Sequence, residues 1–369
     1  MKVNILTNNL QKKLSFVNHA VSQKSQLPIL LSILFETIGG KLKISATDLE
    51  IGIEINVEAE TIEEGAFVVP AKTFSELINS LTEENVSLNS TDTSLEVKTK
   101  KTKSVFSIST KEQFPSLYEE KGDKITTLSE ENLQKDISSV VFSSSIDTTR
   151  PALSGVLVRK EENGFLLVAT DGYRLSLKHY KTNNPEKMTS EAVIIPSRVL
   201  KELIAISEDK KPIDLFISSG SNQIIFQQNE TTLIGRLIEA EFPQFEKIIP
   251  SDYSVTVQFD KDELQKAVKI CSIFARDTAN IIKFSFKKDK IIVSSSSSQV
   301  GENIVEVDAK LTGEENEIAF NSRYLLDLFA NIDSKEMQFE MTGPLNPGVF
   351  KVKGDNSFLH LIMPIRVQE

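Results

Sequence analysis

Val68-Val69-Pro70-Ala71-Lys72-Thr73-Phe74-Ser75-Glu76-Leu77-Ile78 reads as a strand running straight into a helix, and the chain repeats it twice. The second copy is Ile194-Ile195-Pro196-Ser197-Arg198-Val199-Leu200-Lys201-Glu202-Leu203-Ile204. The third is Ala319-Phe320-Asn321-Ser322-Arg323-Tyr324-Leu325-Leu326-Asp327-Leu328-Phe329. Each keeps the same apolar stripe at helical spacing: Phe74, Leu77 and Ile78; Leu200, Leu203 and Ile204; Leu325, Leu328 and Phe329. Proline suits a helix start, because its missing N–H would be unpaired there anyway. From Pro70 to Pro196 is 126 residues, and from Pro196 to Asn321 is 125. A fixed period of this kind sets the architecture before any other signal is read.

Three further blocks keep the register. Thr7-Asn8-Asn9-Leu10-Gln11-Lys12 returns as Ser129-Glu130-Glu131-Asn132-Leu133-Gln134-Lys135 and as Asp260-Lys261-Asp262-Glu263-Leu264-Gln265-Lys266. Thr, Ser or Asp at the start of each is suited to capping a helix. Apolar residues follow on one face: Leu10, Leu14, Val17; Leu133, Ile137, Val140; Leu264, Val268, Cys271. Ser45-Ala46-Thr47-Asp48 is answered by Val168-Ala169-Thr170-Asp171, with a degenerate third copy around Ser294-Ser295-Ser296. Phe114-Pro115, Phe242-Pro243 and Met363-Pro364 close the units. Between the helices lie short alternating runs, clearest at Ile51, Ile53, Ile55 and Val57. The expected fold is α+β: three tandem repeats over 1–125, 126–250 and 251–369, each with two helices packed on one face of an antiparallel sheet. No Pro/Gly-rich linker separates them, so rigid end-to-end packing is expected.

Bulk composition narrows the class. The 369 residues carry a formal charge of −10 and one cysteine. No internal disulfide is therefore available, and a reducing compartment is expected. No run of about 18 apolar residues exists to span a membrane, and the N-terminus does not read as a signal peptide; a cytoplasmic location is expected. The acidic total argues mildly against nucleic acid, but charge acts locally, over ~8 Å at physiological salt, so the placement of Lys and Arg matters more. His19, His179 and His360 show no ligand spacing, and no Cys/His cluster, phosphate loop or nucleophile elbow appears. No metal, cofactor or catalytic residue is expected. Cys271 falls where the other copies hold Val17 and Val140, and reads as a small buried apolar residue. Asp48 and Asp171 occupy one place in two repeats, hence a domain apart, whereas paired carboxylate chemistry needs them within ~10 Å. They are expected to fix turns through backbone hydrogen bonds. Two rivals stay open: a carboxylate-dependent hydrolase, which would lose turnover on changing Asp48 or Asp171, and a three-domain scaffold that binds proteins but never DNA.

The order of blocks resembles the bacterial sliding-clamp family, the β subunits of DNA polymerase III, over essentially the whole chain. The pieces that carry the resemblance are Leu27-Pro28-Ile29-Leu30, Ala46-Thr47-Asp48-Leu49-Glu50, Thr149-Arg150-Pro151-Ala152-Leu153-Ser154-Gly155-Val156, Ala169-Thr170-Asp171-Gly172-Tyr173-Arg174-Leu175 and Met363-Pro364-Ile365-Arg366. Such clamps are head-to-tail homodimers, rings of six repeats with helices lining the hole. Size agrees. One repeat is equivalent to a sphere ~36 Å across; three in a ring leave a hole of ~5 Å and six leave ~36 Å. Duplex DNA is ~20 Å wide.

The resemblance implies a non-catalytic processivity factor in chromosomal replication, and four consequences follow from it. Duplex DNA is held topologically, through phosphates and without sequence preference. Lys12, Lys72, Lys135, Arg198, Lys201 and Lys266 on the inner helices would face it, with Lys13, Lys269 and Arg323 as further candidates and Lys24 and Arg150 added from loops. At the dimer seam Phe106 and Ile108 of one chain would meet Ile273 and Phe274 of the other. A peptide pocket between repeats 2 and 3 would be walled by Leu153, Thr170, Gly172, Tyr173, Arg174, Leu175, Pro243, Ile248, Asn321, Tyr324, Leu345, Leu361, Met363, Pro364, Ile365 and Arg366. Its implied partners are the replicative polymerase α subunit, an ATP-driven clamp loader, other polymerases and repair proteins, each inserting a short Gln/Leu/Phe-type segment. The sequence departs from some members at Pro151 and Ala152, where tyrosines occur, at Tyr173, where histidine occurs, and in the extra Val367-Gln368-Glu369.

Overall fold

A computed structural model describes residues 1–128, 130–182, 191–207, 211–218 and 220–366, without the side chains at 130–132. Ser129, expected to cap a helix, and the tail Val367-Gln368-Glu369 lie outside the described residues. The first third of the chain runs β1 (Lys2–Leu6), α1 (Thr7–Val17), β2 (Ser32–Ile38), β3 (Lys41–Thr47), β4 (Ile51–Val57), β5 (Glu60–Glu63), β6 (Ala66–Pro70), α2 (Ala71–Ser80), β7 (Asn85–Ser90), β8 (Ser94–Lys98) and β9 (Lys103–Ser107). The second runs β10 (Asp123–Leu128), α3 (Glu130–Val141), β11 (Gly155–Glu161), β12 (Gly164–Thr170), β13 (Arg174–Lys181), β14 (Ala192–Pro196), α4 (Ser197–Ile206), β15 (Ile213–Ser218), β16 (Gln223–Gln228) and β17 (Thr231–Arg236). The third runs β18 (Val255–Asp260), α5 (Lys261–Phe274), β19 (Ile281–Lys287), β20 (Lys290–Ser297), β21 (Gly301–Gly313), β22 (Asn316–Asn321), α6 (Ser322–Asn331), β23 (Glu336–Met341), β24 (Gly348–Val352) and β25 (Asp355–Ile362). One order therefore occurs three times: strand, helix, four strands, helix, three strands. Among the described residues β5 is the one addition.

Contacts group the residues into two compact units, Met1–Glu130 with Glu202–Leu237, and Glu131–Lys201 with the chain from Ile238 onward. These units cut across the three repeats because sheets run through the junctions. In the first unit β17 pairs with β4, from Thr231↔Ile55 to Gly235↔Ile51. The result is an eight-stranded sheet, β10-β15-β16-β17-β4-β3-β2-β6, accompanied by a five-stranded sheet, β5-β1-β7-β8-β9. In the second unit β13 pairs with β25, from Arg174↔Ile362 to Lys178↔Phe358. That pairing joins twelve strands in the order β14-β11-β12-β13-β25-β24-β23-β18-β21-β20-β19-β22.

The helical stripes read from the sequence are what each sheet buries. Leu10, Leu14 and Val17 of α1 are fully buried, as are Phe74 and Ile78 of α2. Ile44, Ile53 and Phe35 of the sheet are fully buried as well, with the Phe35 ring 5.0 Å from Phe67 and 5.2 Å from Phe74. In the second unit Leu264, Val268 and Cys271 of α5 share one core with Leu325, Leu328 and Phe329 of α6. Each such side chain contributes ~1.5–3 kcal/mol on burial. Gly348 passes between two rings of that core: a Cβ there would lie 2.5 Å from Phe320 Cζ and 2.6 Å from Phe339 Cε2.

Helix starts depart from the expectation in one copy. Asp260 caps α5 as expected, its Oδ1 accepting from the N–H of Asp262 (2.9 Å) and Glu263 (3.1 Å). Thr7 does not cap α1. Leu6 takes the cap position, and Thr7 is the first helical residue, buried with an Oγ1 that has no partner among the described residues. The strand β1 leads into the helix without a turn, so the threonine is one residue too late. Pro70 likewise takes the cap position of α2 rather than its first turn.

Candidate functional site

Two turns of like build show what the repeated Thr-Asp pair does. Thr170 Oγ1 donates to the Arg174 carbonyl (2.7 Å) and accepts from the Gly172 N–H (3.1 Å). Asp171 Oδ1 accepts from the N–H of Tyr173 (2.9 Å) and Arg174 (3.0 Å). In the first unit Thr47 and Asp48 make the corresponding bonds to Ile51, Leu49 and Glu50. Both aspartates are turn formers, as expected. Gly172 takes φ +93°, and Leu49 holds the same left-handed position at +76°, which only the locked turn makes tolerable.

Tyr173 is thrown outward by this turn, 60% exposed, while Arg174 turns in, 9% exposed. The Arg174 guanidinium donates to Asp171 Oδ2 (3.0 Å), to Asp327 Oδ2 on α6 (2.7 Å) and to the Phe142 carbonyl (3.0 Å). It lies 4.7 Å from the Tyr324 ring centroid and 5.5 Å from that of Phe142. Arg174 is therefore a strut that ties the turn to α6, a task its planar fork of donors suits.

Behind it His360 is fully buried. Its Nδ1 meets Ser176 Oγ at 2.7 Å, and Ser176 meets Ser143 Oγ at 2.7 Å; Nε2 has no partner among the described residues. Burial, and then the nearby Arg174 charge, hold this imidazole well below its usual value. The unfolded chain takes up a proton here near pH ~6.5 that the folded chain refuses. Stability from this group is complete above that pH and falls below it, by up to ~1.4 kcal/mol per pH unit. Urea unfolding between pH 7.5 and 5 should show the loss, and His360→Gln should flatten the profile; an unchanged slope would contradict the assignment.

The chain end is pinned beside the turn. The Met363 N–H donates to the Tyr173 carbonyl (2.8 Å), and the Ile365 N–H donates to the Ala319 carbonyl (2.8 Å). Leu175 stands opposite Leu361 in the β13–β25 ladder, and both join a buried cluster with Leu157, Leu166, Val168, Leu177, Phe245 and Val349. Leu153, Thr170, Leu175 and Leu361 are thus buried, whereas Tyr173, Ile248, Leu345 and Met363 expose apolar surface. Gly172, Pro243 and Arg366 are exposed; Asn321, Tyr324, Pro364 and Ile365 are half-buried. Asn321 also caps α6, accepting from the Arg323 N–H at 3.0 Å. For Leu345 and Arg366 the geometry gives exposure alone. Asp327 and Phe142, which hold Arg174, escape a reading by sequence blocks; Asp171 was read as a turn former, and the short Asp171-x-x-Arg174 spacing was the available signal for its bond to the guanidinium.

The basic residues named for DNA, Lys12, Lys24, Lys72, Lys135, Arg150, Arg198, Lys201 and Lys266, are all exposed. Lys12 and Lys266 leave α1 and α5 on the side away from the buried stripe. Lys135 is engaged by Asp333 (2.7 Å), but both side chains are exposed, so the pair is weak. Phe106 lies on β9, an edge strand, half-buried with its ring 5.8 Å from Phe74; Ile108 is also half-buried. On α5 Ile273 is 52% exposed and Phe274 half-buried. The sequence reading passed over Val105, 62% exposed, and Ile304, 61% exposed. Ile304 sits on the part of β21 that pairs with β20, while β18 takes the part from Ala309 onward. Cys271 is buried and its thiol is pushed up to about 11 by burial, as suits a core residue. Among the described residues no group of three or more His, Cys, Asp or Glu could hold a metal, and no helix is long and apolar enough to cross a membrane.

Three copies of one strand-and-helix unit, with helices on sheets that continue from copy to copy, define the class as a DNA-clamp subunit. Family models describe the same three pieces: the N-terminal, central and C-terminal domains of the DNA polymerase III beta subunit match residues 1–118, 127–244 and 246–366. A beta sliding clamp of Staphylococcus aureus is 33% identical over 360 residues, 94% of each chain, and one of Staphylococcus epidermidis is 31% identical over the same span. The crystal structure of the DNA polymerase sliding clamp of Bacillus subtilis superposes with a TM-score of 0.95 at 27% identity, covering 100% of both chains. The DNA polymerase III beta subunit of Thermotoga maritima gives 0.90 at 25%, again over 100% of both. The chain belongs to the DNA polymerase III beta subunit family, the sliding clamps.

Proposed function

We propose that two copies of this chain join head to tail around duplex DNA, and that the ring tethers replication and repair proteins through the surface at Tyr173, Ile248, Leu345 and Met363. The chain is a non-catalytic subunit, a sliding clamp for DNA replication that works with polymerase and clamp loader. The threefold repetition of one unit carries the reading, since two chains supply the six needed for a hole wider than DNA. We place the repeat junctions near residues 125 and 250.

Exposed lysines and arginines on the helices supply weak, salt-sensitive phosphate contacts, as sliding requires. The seam joins β9 of one chain, with Phe106 and Ile108, to the neighbourhood of Ile273 and Phe274 in the other. The unpaired side of β21 around Ile304 is a suitable second edge. The partner site has buried apolar walls at Leu153, Leu175 and Leu361, an exposed apolar rim and a methionine able to adapt to different segments. The protein is placed in the cytoplasm, with the chromosome it serves.

The test is topological. Protein is loaded by a clamp loader onto nicked circular DNA, half of which is then cut. Gel filtration should find it retained on circles and lost from linear DNA. Equal retention on both would mean ordinary phosphate binding and would end the ring mechanism; failure on both, with a competent loader, would favour a scaffold that never holds DNA.

A further inference from the structure

On one face of the first unit's sheet, Leu34, Ser45 and Glu54 stand in line across β2, β3 and β4. The corresponding line on β11, β12 and β13 is Leu157, Val168 and Leu177, packed as hydrocarbon with Phe245. In the first copy Leu34 also packs with Phe114 and Leu117, but Ser45 and Glu54 put polar groups in the line. Residues 111–118 lie over a cavity of about 500 Å³, within the size range of ligand sites.

Its polar walls are nearly self-satisfied. Lys43 Nζ lies 3.2 Å from Glu36 Oε2 and 3.5 Å from Glu54 Oε2. Lys111 engages the other oxygen of Glu36. Tyr118 Oη donates to Glu54 Oε1 (3.0 Å); burial, and then the Glu54 charge, raise the phenol's pKa and keep it protonated. Ser45 is the exception. It is 1% exposed, it lines the cavity, and its Oγ has no partner among the described residues. A buried hydroxyl without a partner is costly, and valine, used at the matching position 168, would remove the cost.

We infer that the cavity walled by Ser45, Lys43, Glu36, Glu54, Tyr118 and Phe114 is a binding site for a small neutral molecule carrying a primary amide. Glu36 is held by Lys43 and Lys111 and Glu54 by Lys43 and Tyr118, while Glu112, also on the lining, is exposed; a carboxylate would meet three glutamates, and an ammonium would meet Lys43 and Lys111. What stays open is the Ser45 hydroxyl, one of the three N–H groups of Lys43 and lone pairs on Glu54. An amide presents an acceptor and a donor side by side: its carbonyl faces Ser45 and Lys43, its NH₂ faces Glu54, and a short stem rests on Leu34, Phe114 and Leu117.

The full chain, labelled at leucine methyls, is titrated with propionamide, with propionate and propylammonium as charge controls. Saturable shifts at Leu34 and Leu117 with propionamide alone are expected, reduced at least tenfold in affinity by Ser45→Val. Tyr118→Phe, which removes the hydrogen bond that positions the Glu54 carboxylate without touching the sheet, should weaken binding severalfold. Unshifted methyls elsewhere report that each variant is folded. An acetyl-Gly-Gln-Gly-N-methylamide arm, whose one primary amide is the glutamine side chain, identifies the source: tighter binding than propionamide assigns the site to a glutamine side chain of a protein, equal or weaker binding to a free amide. Absence of saturable shifts, equal binding in Ser45→Val, or propionate or propylammonium binding as well as propionamide would overturn the inference.

Discussion

Ile273→Asp is expected to turn the dimer into monomers, raising its dissociation constant at least a hundredfold. Ile273 is 52% exposed in the single chain, at the last turn of α5. Replacing an exposed residue costs the monomer's fold little, usually within ~0.5 kcal/mol. At the proposed seam the same carboxylate would be buried against the apolar edge that carries Phe106 and Ile108. Leaving a charge unpaired in an interface costs ~3–5 kcal/mol, which is about two to three and a half orders of magnitude in affinity. Sedimentation equilibrium reads the dimer directly, and the thermal midpoint reads the fold. A dimer constant within threefold of the parent would place the seam elsewhere. Phe106 is the less clean probe, because its ring also packs on Phe74, so its loss would mix seam with core.

Helices were legible because their signal is local. Leu10, Leu14 and Val17 repeat at one helical spacing, and their counterparts in α5 are buried as predicted. The Thr-Asp turns were legible for the same reason: Asp48 and Asp171 bond to N–H groups two and three residues ahead. What stayed hidden was non-local. Nothing near Thr231 or Ile55 announces that β17 and β4 pair, nor does the Asp355–Ile362 segment announce β13 as its neighbour. Those pairings make two compact units out of three repeats. The strand β21 keeps the alternation, with Val305, Val307, Ala309 and Leu311 turned in and Glu306, Asp308 and Lys310 turned out; Ile304, apolar on the wet side, departs from it, and that exposure is visible only in the fold. The site divides likewise. Its residues were implied by the family resemblance, but only the fold separates exposed Met363 from buried Leu361, or makes Arg174 a strut.

That separation allows two substitutions to be told apart. Met363→Glu is expected to weaken binding of a fluorescent hexapeptide containing Gln, Leu and Phe at least thirtyfold, with the thermal midpoint unchanged. The side chain is 38% exposed, so the free protein tolerates a carboxylate there, while an apolar anchor settling on it would have to bury the charge. Arg174→Ala should weaken binding comparably by another route. It strands Asp171, Asp327 and the Phe142 carbonyl, which together receive three bonds from the guanidinium, and it releases Tyr324 from beneath the guanidinium. Removing one partner of a buried, bonded charge costs ~3–5 kcal/mol, so this variant should also melt several degrees lower. Fluorescence anisotropy with parallel melting curves separates the cases. If Met363→Glu binds the peptide within threefold of the parent, the rim at the chain end is not the partner site. If Arg174→Ala melts normally and binds normally, the guanidinium carries no load between the turn and α6.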